Sequence, residues 1–180
     1  MAHGQIMLGQ EQSARLLGWG TRFFLAAALT ASQTPGGYAP FALGLVAAAG
    51  PGMNGAAALA GAGLGALLFL DFADALPFLA VGVLILTAAT AFQGSQRLTR
   101  PGAVAVTAAG LFLAVAGIYV LQSLSPLRHL TPCVAAAGLT GAAAWFFRQV
   151  LCPEDGRPAP DGLLFLAAAM LLGLTNLEVA

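Results

Sequence analysis

Charge is what this sequence has least of. Only 8% of its residues are charged, against 59% that are hydrophobic, and the mean hydropathy is +0.86. A soluble domain carries about a quarter charged residues and needs them on its surface, so this chain cannot cover a water-facing surface in the usual way. Lysine is absent, and all seven basic residues are arginine. They balance seven acidic residues to a net charge of zero, so the basic footprint that nucleic-acid binding requires is missing. The two histidines, His3 and His129, both lie outside the apolar stretches. The two cysteines, Cys133 and Cys152, form no C-x-x-C; at about 1.5 Å per residue they would stand roughly 28 Å apart on one helix, too far to pair. With no Cys or His cluster, metal binding has no support, and a buried inert thiol is the expectation. Nor is there a P-loop, an H-E-x-x-H or a G-x-S-x-G sequence, so no catalytic, cofactor-binding or metal residue is assigned.

What the chain does have is seven apolar stretches, at about residues 16–32, 38–50, 55–70, 75–92, 101–124, 131–151 and 162–180. Long, recurrent, nearly charge-free blocks point to lipid as the solvent over most of the surface. Ala and Leu dominate and period-2 alternation is missing, which favours helices over a transmembrane barrel. The fold expected is therefore all-α: a polytopic transmembrane bundle of about seven helices over residues 15–180, after a polar cytoplasmic N-terminus at 1–14. Proline recurs near segment starts, at Pro40, Pro77, Pro101 and Pro132, as helix beginnings favour. Pro51-Gly52-Met53-Asn54 reads as a tight turn. The Tyr38–Gly50 stretch falls short of the roughly 20 residues a span needs, so a short tilted helix and a re-entrant segment both stay open. Arg15 ahead of an apolar run resembles a signal peptide, but Arg22 interrupts that run and more apolar segments follow, so a retained first helix is expected.

Arginine placement gives an orientation. With seven spans and a cytoplasmic N-terminus, Arg15, Arg97, Arg100 and Arg157 fall inside, while the Asp71/Asp74 turn and Arg128 fall outside. Treating 38–50 as re-entrant inverts every later loop.

Few polar residues interrupt the apolar segments. Arg22 and Arg148, beside Trp19 and Trp145, are expected to snorkel to the cytoplasmic headgroups; the alternative for Arg22 is a buried partner in Asp71, Asp74 or a lipid phosphate. Glu178 lies within the last apolar run. Asp71 and Asp74 flank a turn and read as solvated, with Asp74 capping the next helix. Ala57, Gly61 and Gly65 form a small-xxx-small stripe, expected to pack helices within the chain, with self-association as the second reading. A short, Pro/Gly-interrupted helix is also how transporters build solute sites. With Arg22, Gln33 and Glu178 as sparse polar candidates, the alternative function is a small-solute transporter or substrate-binding membrane component. A membrane enzyme ranks below both, for want of a nucleophile–base or metal set.

The stretch Gly36-Gly37-Tyr38-Ala39-Pro40-Phe41-Ala42-Leu43-Gly44-Leu45-Val46-Ala47-Ala48 resembles the start of the membrane domain of stage II sporulation protein E. Its marks are the Gly36-Gly37 turn and Ala39-Pro40-Phe41 opening a short helix. Gly20-Thr21-Arg22 stands where that family has a Gly-Arg element, and Ala42 where it has Gly. The resemblance covers roughly residues 15–95. It implies a bacterial cell-membrane domain that continues past Ala180 into an oligomerising region and a PP2C-type serine/threonine phosphatase. It also implies placement at the division septum, with septal proteins and the bilayer as partners. None of that phosphatase's metal-binding residues maps onto this chain, so the segment's own task would be anchoring and localisation.

Overall fold

The structure, a computed structural model, describes residues 2–31, 39–70, 72–91, 100–122, 126–151 and 160–177, with side chains placed over 11–31, 39–70, 75–91, 100–117, 130–151 and 160–170. Among the described residues there are seven α-helices and no strand: α1 (Ala2–Ala31), α2 (Pro40–Ala49), α3 (Met53–Phe69), α4 (Phe72–Ala91), α5 (Pro101–Gln122), α6 (Pro126–Leu151) and α7 (Asp161–Leu177). The all-α expectation holds. By length and composition, Leu130–Leu151 is the one described helix able to cross a bilayer. The apolar stretches Pro40–Ala49, Met53–Phe69, Ala75–Ala91, Pro101–Gly117 and Asp161–Met170 are shorter.

Local chemistry accounts for several boundaries. Pro40 and Pro101 occupy first helical positions, where a missing N–H leaves no bond unmade. Two prolines depart from the expectation: Pro77 and Pro132 lie inside α4 and α6, which begin at Phe72 and Pro126. An interior proline removes one backbone bond and crowds the carbonyl four residues back, but in an apolar bundle the freed carbonyl can find other donors, so the helices start a turn or more earlier. α1 likewise begins at Ala2, so residues 2–14 extend the first helix. The expected turn at 51–54 is shifted: Met53 and Asn54 already belong to α3, and the reversal is Gly50-Pro51-Gly52. Gly50 and Gly52 hold φ of 72° and 83°, a region that L side chains avoid.

Helix directions follow from the residues that meet. A Cβ at Gly61 would overlap the Phe23 carbonyl, and one at Gly65 would lie 2.8 Å from Thr30 Cβ. Both sequences ascend together, so α1 and α3 run parallel. α2 enters between them and ends where α3 begins, delivering the chain to the end opposite the one where α1 finishes. Gly44 faces Thr140, Ala143 and Ala144, with Ala48 near Arg148, so α2 and α6 are parallel. α3–α4 and α5–α6 are antiparallel hairpins, in which Gly82 meets Leu59 and Gly141 meets Ala105 and Ala109. The helices alternate in direction along the chain.

At the centre lies α2. Its residues 42–49 are all buried, and it touches α1, α3, α4, α5 and α6. The interior is built from small groups: Ala26, Ala28, Ala42, Ala48, Ala58, Ala62, Ala66 and Ala144 have no exposed surface. Larger side chains, among them Leu67, Leu68 and Val106, point outward. Small residues let backbones approach closely, which suits packing without a hydrophobic driving force.

The glycine contacts predict opposite signs at two positions. Gly61→Ala forces α1 and α3 apart and should lower stability by about 1–3 kcal/mol or more. Gly110→Ala, exposed and with nothing near its added methyl, should raise it by about 0.5–1 kcal/mol through helix propensity alone. Thermal unfolding of the two variants in detergent checks both signs.

Candidate functional site

The charged residues with described side chains are few: Glu11, Arg15, Arg22, Arg100, Arg148 and Asp161. Glu11 and Arg15 pair at 2.7 Å on the exposed start of α1. Among the described residues no group of three or more His, Cys, Asp or Glu converges. Cys133 is buried in α6 and unpaired.

The polar centre lies between α1 and α7. Arg22 is only 6% exposed. Its guanidinium folds back one turn, and Nη1 donates to the Gly18 carbonyl at 2.7 Å and to Asp161 Oδ1 at 3.4 Å. Side chains on a helix lean toward its N-terminus, so the turn back is geometrically ordinary. Thr21 is fully buried beside it; its hydroxyl donates to the Leu17 carbonyl at 2.8 Å, with the Asp161 carbonyl also in reach at 3.1 Å. Gly18, Thr21 and Arg22 share one face by the three- and four-residue spacing of a helix. A side chain at Gly18 would crowd the pair, since its Cβ would lie 3.0 Å from Arg22 Nη1 and 3.3 Å from Asp161 Oδ2. Arg22 Nε is buried and has no hydrogen-bond partner.

This corrects the snorkelling expectation for Arg22. The side chain runs in the direction snorkelling requires, yet it ends on a part-buried carboxylate 139 residues away in sequence. A buried guanidinium needs a counter-charge, and Asp161 also suits the first turn of α7, where the helix dipole favours an anion. One carboxylate therefore offsets two positive features. The partner is neither of the aspartates considered from sequence: Asp71 lies outside the described residues, as does the side chain of Asp74.

Arg148 also finds a partner within the protein. It is half-buried in the last turn of α6 and donates from Nη1 to the Ala48 carbonyl at 3.2 Å. Carbonyls at a helix C-terminus lack intrahelical donors and attract cations, so Arg148 closes the lower end of α2. Trp145, its neighbour in sequence, is exposed.

The other sequence candidates divide. Gly61 and Gly65 are buried against α1, and Ala57 is half-buried one turn below. Ala39 is the buried residue that precedes α2, Pro40 begins it, and Phe41 is half-buried. Gly36, Gly37, Gln33 and Glu178 lie outside the described residues. Gly20 meets nothing within 4 Å; the glycine that adjoins the arginine in space is Gly18. Sequence reasoning missed Gly18 and Asp161. A glycine four residues before a lone apolar-segment arginine was the available signal.

Compared with family models, curated proteins and solved structures, the chain matches none.

Breaking the pair from one side leaves an uncompensated charge. Arg22→Leu or Asp161→Leu alone should cost about 3–5 kcal/mol, and the double Leu variant much less than their sum. Unfolding midpoints of the two single variants and the double variant give this coupling directly.

Proposed function

We propose that the chain is a multi-pass membrane domain that anchors and localises a larger protein in the bacterial cell membrane, with its N-terminus in the cytoplasm and no catalysis of its own. The observation that carries this reading is the inside-out placement of apolar bulk. The interior is rich in alanine and glycine, whereas Leu67, Leu68, Val106, Leu163 and Met170, on three helices, are 66–75% exposed. In water, so much exposed apolar surface would drive association; in a bilayer it is the surface each helix needs. The candidate span Leu130–Leu151 adds support, because only 44% of its apolar window is buried, against a mostly covered core helix in a soluble protein.

Orientation draws on the alternating helices. The start of α1, the α4–α5 connection and the α6–α7 connection all belong to one end, and the sequence assigns Arg15, Arg97, Arg100 and Arg157 to them. Arg128 alone belongs to the other. The positive-inside rule puts the arginine-rich end in the cytoplasm. At ten residues, α2 is about 15 Å long, half a bilayer core, and five surrounding helices shield it from lipid.

The specific form of this reading is the membrane anchor of a sporulation phosphatase, held at the division septum. Its support is the 36–48 motif, whose Ala39-Pro40-Phe41 opens the one helix buried on all sides. A second reading, a solute-binding membrane component, draws on the inward-facing Arg22–Asp161 pair, since ionisable residues inside a membrane bundle often mark solute paths.

Two measurements decide between these. In a background without Cys133 and Cys152, a cysteine at Gln96 should react with an impermeant maleimide only from the cytoplasmic side; labelling from outside would invert the orientation, and recovery of the protein in the soluble fraction would end the membrane reading. A fluorescent fusion in a spore-forming bacterium should gather at the asymmetric septum. Uniform membrane fluorescence would remove the septal role and turn attention to ligand-dependent thermal stabilisation.

A further inference from the structure

We propose that α7 is a separable helix, latched onto the α1–α6 core by the Arg22–Asp161 pair. The inference starts from how unevenly the helices are held. α2 is gripped on all sides, and α3 presses Gly61 and Gly65 onto the backbone of α1. α7, by contrast, packs on α1, with no comparable contact to any other helix among the described residues. Its described polar links all arise at Asp161, through the carboxylate to Arg22 and the carbonyl to Thr21. Beyond these, Phe165 meets Phe24 edge-to-face at 5.7 Å and Ala168 is buried, while Leu163, Leu166 and Met170 face outward.

In lipid, apolar side chains gain nothing by leaving one hydrocarbon for another, so helix association depends on close packing and polar bonds. Over its described side chains, at 161–170, α7 packs closely only on α1 and concentrates its polar bonds at one end. The pair is also lopsided. Arg22 makes its short bond to its own helix, at 2.7 Å to Gly18, and its long one to Asp161, at 3.4 Å, with Nε left over. Neutralising Asp161 removes the ion pair and strengthens nothing else on α7. Apart from Gly18, whose added Cβ would lie 3.3 Å from Asp161 Oδ2, the described glycines of α1–α6 make their close contacts without α7. Release would uncover the Gly18–Thr21–Arg22 face of α1, where an acidic group from a neighbouring helix could replace Asp161. The argument rests on the membrane reading for the weakness of the apolar contacts; failure of that reading shows as loss of the protein from reconstituted vesicles, which removes the premise.

Disulfide cross-linking of the full chain in such vesicles tests the latch, with Cys133 and Cys152 replaced. One reporter pair is Phe24→Cys with Phe165→Cys, across α1–α7. The control is Ala109→Cys with Gly141→Cys across α5–α6, where a Cβ on Gly141 would lie 3.2 Å from Ala109 Cβ. Adding Asp161→Asn should lower the α1–α7 yield about fivefold or more and leave the control unchanged. The exchange Arg22→Asp with Asp161→Arg should recover much of the loss. An unchanged α1–α7 yield would overturn the latch, because the pair would not hold the helix. A parallel fall in both yields would overturn separability, because α7 would then be integral to the whole fold.

Discussion

The structure depends on one constraint: a ten-residue helix, α2, is buried at every position but Phe41. A helix buried on every side needs neighbours on every side, and each must come close enough to leave no gap. That demand selects small residues on both partners. Gly44 lets α6 approach α2, Gly61 and Gly65 let α3 lie against α1, Gly82 admits Leu59, and Gly141 admits α5. The same demand enriches the interior in small residues around Leu43, Leu45 and Val46, while many large side chains face outward. What looks in the composition like simple hydrophobicity is therefore a division of labour, with small groups at the helix contacts and much of the apolar bulk outside.

The second constraint is electrostatic. An arginine within an apolar segment has three ways to avoid its desolvation cost: reach the headgroups, find water, or find an anion. Arg22 takes the third. Its carboxylate comes from the far end of the chain, so the pair joins the first described helix to the last. Arg148 shows a milder version, using a free helix-terminal carbonyl instead of a carboxylate. In both cases the cation satisfies something that the fold itself leaves negative, and in both it acts at the end of another helix.

Much of the architecture was legible in the sequence. Helix type, number and order followed from the apolar segments, because composition and breakers act locally. The Gly61–Gly65 stripe was visible for the same reason. Boundaries at α4 and α6 were misplaced because proline was read as a start signal, whereas an apolar bundle tolerates it a turn or more inside. The Arg22–Asp161 pair was invisible: nothing in a single sequence tells which of seven acids will face a given arginine across 139 residues. Asp161 is a boundary residue, the first of α7. Its second role exists only once α7 is laid beside α1.

These features bear on function in a particular way. A solute carrier needs its polar groups to converge on a space between helices that can open to either side. Here the buried polar side chains Thr21, Arg22, Thr30 and Thr140 all donate to backbone carbonyls of their own helices, while the centre is filled by α2 and its glycine contacts. Such a centre resists rearrangement, since an added methyl group at Gly44 or Gly61 already overlaps neighbouring atoms. Freedom is found at the edge, on α7. A rigid core with one loosely held outer helix suits a domain that must stay fixed in a membrane while presenting a replaceable contact to its surroundings. Anchoring demands of the bundle only that it remain assembled in lipid, and the small-residue core answers that demand without any of the polar convergence that transport would add.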